Sequence, residues 1–325
     1  MADGARGLDR STIWPYEDGE PGDFYYTRYG HPAGEQAERE LGRLEGGTAL
    51  LFSSGSGATT ALVLALLQPG SMVAVAQGCY YGTPVLFEEL SRWGLRHVEF
   101  DQTGPPPDGV DLVWLEAPSN PMLTMPDIES AVAHAGKVVV DSTASTPVYL
   151  RPLERGADLV LHSATKYLGG HHDVLLGAVV AKDEADAARL REFRGRSGIT
   201  AAPDAAWLLS RSLKTLELRM LRHTDTANEI VRRLERHDAV EVVRYPGFGG
   251  LLSFDVAGGA EAARAVERGL GRIENATSLG GVTSTLEWRG RWEGARVPPG
   301  LLRLSVGLEP IEELWADLEQ ALRSR

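Results

Sequence analysis

Asp141 and Lys166 each close a short apolar run. Val138-Val139-Val140 leads into Asp141-Ser142-Thr143, and Leu159-Val160-Leu161 leads into His162-Ser163-Ala164-Thr165-Lys166. Runs of this length, rich in β-branched residues, read as buried strands of a parallel sheet. In open α/β sheets, ligands bind outside the carboxyl ends of the strands. The pattern therefore puts a carboxylate and an amine, 25 positions apart, at the mouth of one sheet. A lysine there can form a Schiff base with pyridoxal phosphate, while the carboxylate keeps the pyridine nitrogen protonated so that the ring accepts electrons. The same two residues also read as a surface lysine and a helix-capping aspartate, and spacing alone does not separate the two.

The elements that must position this pair follow from periodicity and punctuation. Residues 1–23 are rich in Gly, Asp and Pro and read as a poorly ordered arm. A helix is expected over 35–44, then a strand over 49–52, the small-residue turn 53–58 and an apolar helix over 59–67. Such a turn presents backbone N–H groups at the positive end of a helix, which suits phosphate. It lacks the Gly-Lys-Ser/Thr ending of a nucleotide loop and the third glycine of a dinucleotide fingerprint. Further strands are expected over 72–76, near Val98 and over 112–116, with helices over 84–93 and 183–196. A helix over 224–237, strands over 240–245, 251–256 and 301–305, and a helix over 310–322 complete the chain.

Length and composition bound the class. Three hundred and twenty-five residues, 43% hydrophobic and 24% charged, suit a globular enzyme with one large and one smaller domain. The formal net charge of −12 argues against a nucleic-acid surface. A lone cysteine, Cys79, fits a reducing cytoplasm. The longest apolar run, 61–67, is too short to cross a membrane, and no basic head precedes an apolar core at the N-terminus. His171-His172-Asp173 has metal-ligand residue types, but neighbouring histidines on a strand would face opposite ways, so no metal site is expected.

The motifs carry a resemblance. VDSTASTP and HSATKYLGGHHDVLLG are similar to the VDNTxxTP and HSATKYxxGHxDVxxG signatures of the Cys/Met-metabolism family of pyridoxal-phosphate enzymes. That family includes the cystathionine synthases and lyases, methionine γ-lyase and the O-acylhomoserine sulfhydrylases. The likeness runs from about Tyr26 to Glu309. It implies the fold-type I, aspartate aminotransferase-like architecture, with a mostly parallel seven-stranded sheet domain and a smaller α/β C-terminal domain. The expected division is an arm over 1–45 that contacts a neighbouring subunit, a large cofactor domain over 46–222 and a small domain over 223–325.

The resemblance also assigns roles. Lys166 becomes the cofactor lysine, Asp141 the partner of the ring nitrogen, and Tyr80 the ring stacked on the cofactor. Gly55, Ser56, Ser163 and Thr165 are implied donors to its phosphate. Asn120, in a segment matching the family's E-x-PSNP, would bond the phenolic oxygen, and Thr143 would help orient the ring. Tyr26 and Arg28 match a Tyr-x-Arg pair that reaches a neighbouring subunit's phosphate, which implies a homodimer or homotetramer. SLGGV at 278–282 and RLSVGLE at 303–309 make Ser278 and Arg303, with Asn120, the substrate-binding candidates. An arginine's planar fork suits the α-carboxylate.

The chain departs from its relatives where the substrate's far end would lie. Gly82 stands where methionine γ-lyases carry cysteine, Val85 where the synthases carry arginine, and Thr283 where the family has glutamate. Arg289 and Arg291, in an Arg-Trp-Gly segment of the kind seen in a cystathionine γ-lyase-like branch, are the candidate substitutes. The expected activity is γ-elimination from a sulfur-containing amino acid such as cystathionine. The rivals are γ-replacement on an O-acylhomoserine and a noncatalytic protein that keeps the fold.

Overall fold

The protein, described here by a computed structural model covering residues 7–134 and 136–324, is built on two sheets. Its first eight helices are α1 (Pro32–Glu45), α2 (Gly55–Leu66), α3 (Gly82–Leu90), α4 (Ile128–His134), α5 (Thr146–Tyr149), α6 (Glu184–Ser197), α7 (Pro203–Leu213) and α8 (Leu216–Leu234). Threaded among them are β1 (Thr48–Phe52), β2 (Met72–Ala76), β3 (Arg96–Phe100), β4 (Leu112–Glu116), β5 (Lys137–Asp141), β6 (Leu159–Ser163) and β7 (Gly177–Ala181). These seven strands form one sheet in the order β1-β7-β6-β5-β4-β2-β3. Only β7 runs against its neighbours, β1 and β6.

A parallel sheet needs cover on both faces, and the buried residues show where it comes from. One face packs Leu50, Phe52, Val75 and Trp114 against Ala61 and Leu62 of α2 and Leu190 of α6. Trp114 meets Phe87 of α3 edge-on, with ring centroids 5.5 Å apart. On the other face Leu51, Val160 and Val180 meet Ala37 and Leu41 of α1 and Leu209 of α7. Helix α1 thus belongs to this core. It starts sharply because the His31 ring accepts the Gly34 N–H at 3.0 Å and Pro32 opens the first turn.

The second sheet comprises β8 (Val240–Arg244), β9 (Leu251–Val256), β10 (Glu274–Asn275), β11 (Thr285–Trp288) and β12 (Leu301–Ser305), in the order β10-β11-β12-β9-β8. It is antiparallel apart from the short β10–β11 pairing. Helices α9 (Gly259–Gly269) and α11 (Ile311–Arg323) pack on it through Val266, Leu314 and Leu318, and the single turn α10 (Gly290–Glu293) follows β11.

Several expectations change. Helix α2 starts at Gly55, four residues before the expected 59, because the Ser54 side chain caps it by accepting the Gly57 N–H at 3.0 Å. The helix expected from 224 begins at Leu216, so the 222/223 boundary falls inside α8. Residues 7–23 are not a loose arm. Ile13 bridges to Tyr26, and Thr27 N donates to Thr12 O at 3.0 Å; residues 1–6 of the expected arm lie outside the described residues. His171 and His172 sit in a turn rather than a strand, with His172 at φ 56°. Among the described residues no helix is long and apolar enough to cross a membrane.

Candidate active site

The carboxyl ends of adjacent strands open into one cavity of about 250 Å³. Strand register explains how residues far apart in sequence arrive there. Glu116 of β4 sits opposite Asp141 of β5, and Asp141 opposite Leu161 of β6, two residues before Ser163. The chain then turns, and the N–H of Lys166 donates to Ser163 O at 3.1 Å. Every site residue expected from the sequence except Tyr26, Arg28 and Arg291 lines this cavity.

Lys166 is the only one of the chain's four lysines in the cavity wall; Lys137, Lys182 and Lys214 stand elsewhere. Its Nζ donates to Ser278 Oγ at 2.7 Å. Burial, and then the positive charge of Arg303, lower its pKa from 10.5 to about 8. Ser278 adopts a left-handed φ of 84°, and its carbonyl accepts Arg303 Nη2 at 2.9 Å. Arg303 Nη1 donates to Asn120 Oδ1 at 2.9 Å, and the Asn120 amide nitrogen has no acceptor among the described residues. Burial lowers the pKa of Arg303 to about 10, still a cation at neutral pH.

At the opposite wall, Asp141 Oδ1 accepts both the backbone N–H of Thr143, at 3.0 Å, and its hydroxyl. Oδ2 takes no donor from the described residues. Burial raises the Asp141 pKa, and the two Thr143 bonds oppose that rise. The Thr143 hydroxyl also accepts the Ser163 N–H at 2.8 Å, tying β5 to β6. Beside it, Glu116 Oε2 accepts the backbone N–H of Tyr80 at 2.7 Å and of Asn120 at 3.1 Å. Burial and the adjacent Asp141 carboxylate push Glu116 well above the usual carboxylate range. The reading of the sequence gave Glu116 no role. Its partners are backbone groups on the loop that follows it and on the loop after β2, which residue type does not announce.

The first turn of α2 forms a third wall. Helix starts leave N–H groups without intrahelical acceptors, and those of Gly55 and Ser56 have none among the described residues. The turn lies hard against β7: a Cβ on Gly177 would stand 2.0 Å from Ser54 O. The Ser163 hydroxyl is likewise uncommitted. The Thr165 hydroxyl is not, since it donates to Leu176 O at 3.2 Å and accepts Leu176 N at 3.0 Å. As placed, Thr165 braces the loop and has no hydrogen left for a phosphate. Two free helix-start N–H groups, a hydroxyl, an unpaired carboxylate oxygen and a buried amine together fit a phosphorylated pyridine aldehyde.

The chain matches the profile of the Cys/Met metabolism PLP-dependent enzymes over residues 8–323. It belongs to that family. Family membership makes pyridoxal phosphate its cofactor. It is 37% identical to the L-methionine gamma-lyase of Pseudomonas deceptionensis, over 94% of this chain and 87% of that protein. It is also 37% identical to the cystathionine gamma-synthase of Mycobacterium bovis, over 93% and 87% of the two chains. Among solved structures, the cystathionine gamma-lyase CalE6 of Micromonospora echinospora superposes with a TM-score of 0.92 at 33% identity, covering 98% of this chain and 94% of that one. Lyase and synthase names thus occur together at this distance, and the family is fixed more firmly than the activity.

Two features of the family chain bear on substrate. The Tyr80 ring leans over Gly82, where a Cβ would lie 2.4 Å from the ring. A side chain at position 82 would therefore force Tyr80 to move. Of the two candidate arginines, Arg289 lines the cavity, whereas Arg291 turns to Glu267 at 2.8 Å. Val85 and Thr283 do not reach the cavity. Arg28 stays outside it too, stacked 4.5 Å from the Tyr29 ring centroid and donating to Gly195 O.

Proposed function

We propose that this family member is a carbon–sulfur lyase that performs γ-elimination on a sulfur-containing amino acid such as cystathionine, releasing a 2-oxo acid, ammonia and a thiol. The observation that carries the reading is the Lys166 amine in the cavity wall, hydrogen-bonded to Ser278 Oγ, with burial and the charge of Arg303 bringing its pKa down to about 8. An amine poised near neutrality is suited to move protons.

In this reading the Gly55 and Ser56 N–H groups and the Ser163 hydroxyl hold the cofactor phosphate. Asp141 Oδ2 would hold the ring nitrogen in its protonated form, the Asn120 amide would donate to the phenolic oxygen, and Tyr80 would stack on the ring. Pyridoxal phosphate supplies the electron sink that makes a bound amino acid's α-proton acidic. Arg303 fixes the α-carboxylate through its fork. Lys166 Nζ would take the proton from Cα, return it to the substrate–cofactor framework and, deprotonated again, take one from Cβ. Burial keeps the Tyr80 phenol protonated, so its hydroxyl can give a proton to the departing sulfur. Arg28 and Tyr26 serve a partner subunit's phosphate, which makes the protein a dimer or a higher assembly.

The test is a substrate panel of cystathionine, methionine, homocysteine and O-acetylhomoserine, scored for 2-oxobutanoate with and without added thiol. The lyase reading expects 2-oxobutanoate from cystathionine without thiol. No 2-oxobutanoate from cystathionine, together with added thiol converting O-acetylhomoserine into the thioether and acetate in place of 2-oxobutanoate, would replace that reading with γ-replacement.

A further inference from the structure

Two arginines, not one, line the cavity. Arg289 and Arg303 line it, while Glu287, which both of them bind, and Glu293, which only Arg289 binds, are outside its lining. Arg289 Nη1 donates to Glu287 Oε2 at 2.7 Å, and Nε and Nη2 donate to Glu293 Oε1 at 3.0 and 2.6 Å. Arg303 Nη2 reaches the same Glu287 oxygen at 3.2 Å. The Trp292 indole N–H closes the remaining oxygen of Glu287. All four charged side chains are buried, with at most 5% of each exposed.

A guanidinium carries five N–H donors. Three of those on Arg289 are taken by the glutamates, and the remaining two, one on each Nη, have no acceptor among the described residues. The guanidinium is thus held in place by two carboxylates and keeps two donors unassigned at a cavity wall, which suits a preorganised anion site. Arg303 shares Ser278 with the amine and accounts for the α-carboxylate. Arg289 is then a second guanidinium at the cavity wall, paired with two glutamates but with two N–H donors that no described residue takes.

We propose that Arg289 selects substrates by binding a second carboxylate, one carried on the leaving group. This rests on the reading of the cavity as an amino-acid site with Lys166 at Cα and Arg303 on the α-carboxylate. It adds that a dicarboxylic substrate is preferred over an uncharged thioether of the same length. Lysine at this position would keep the charge but lose the two-pronged geometry.

The test uses holoenzyme and two amino acids that have no leaving group, α-aminosuberate and its uncharged counterpart α-aminooctanoate. Binding is read from the change in the cofactor's visible absorption. The wild type is expected to bind α-aminosuberate about 10- to 100-fold more tightly, as a charged hydrogen-bonded contact implies. Arg289→Lys loses most of that preference and keeps its affinity for α-aminooctanoate. The double variant Arg289→Met, Glu293→Gln, which removes a buried carboxylate together with its partner, does the same. Equal affinities in the wild type overturn the proposal. So does an equal weakening of both ligands in Arg289→Lys, which would make Arg289 a strut for Arg303 through Glu287. Because neither ligand can be cleaved, the result stands apart from the lyase assignment. A retained preference without cystathionine cleavage would remove the proposed reaction and leave the role of Arg289 intact.

Discussion

Replacing Lys166 with methionine in the cofactor-free protein separates the cost of burying an amine from its use. The fall from 10.5 to about 8 corresponds to about 3 kcal/mol, at roughly 1.4 kcal/mol for each pKa unit. The sign follows from proton counts. Below pH 8 the amine is protonated in both the folded and unfolded chain, and the folded state carries the whole cost. Between pH 8 and 10.5 only the unfolded chain holds the proton, so stability rises with pH. Above that range both states are neutral and the cost is gone. Lys166→Met should therefore stabilise the apoenzyme below pH 8. That advantage should shrink by about 3 kcal/mol as the pH approaches 10.5. Taking the difference between the two proteins cancels other groups that titrate in alkali. Urea unfolding of both apoenzymes at several pH values gives the comparison. A difference that stays constant from pH 7 to 10.5 would refute the argument that burial and Arg303 depress this amine.

Three other outcomes follow from the site. Thr143→Ala removes the hydroxyl that donates to Asp141 and accepts the Ser163 N–H. Cofactor affinity, measured by titrating the apoenzyme, should fall about tenfold, and the acid limb of its pH dependence should move up because Asp141 loses a bond that lowers its pKa. Gly82→Ala sets a methyl against the Tyr80 ring; kcat should fall about tenfold or more if that phenol is the acid, with cofactor content unchanged. Mixing the inactive variants Arg28→Ala and Lys166→Ala under subunit exchange should restore about a quarter of wild-type activity, since half the dimers then carry one intact site. No recovery would place Arg28 outside a shared site.

Much of this arrangement was legible because the strands around Asp141 and Lys166 are buried on both faces and stop at polar residues. β2, β4, β9 and β12 have the expected limits for the same reason. β7 was not read as a strand: its small residues, Gly177–Ala181, continue a motif without punctuation, and only packing against Ser54 shows why Gly177 is needed. The start of α8 was missed because no glycine or proline separates it from α7. Residue type also could not rank Arg289 against Arg291. They stand two positions apart in a turn, and their roles divide only when Glu267 on α9 captures one of them.

The central claim is a covalent one, and the chain makes it unusually easy to test. It has four lysines, Lys137, Lys166, Lys182 and Lys214, of which only Lys166 lines the cavity. Borohydride reduction of the holoenzyme followed by peptide mass mapping should place the pyridoxyl group on Lys166 alone. A label on any of the other three, with Lys166 unmodified, would contradict the account.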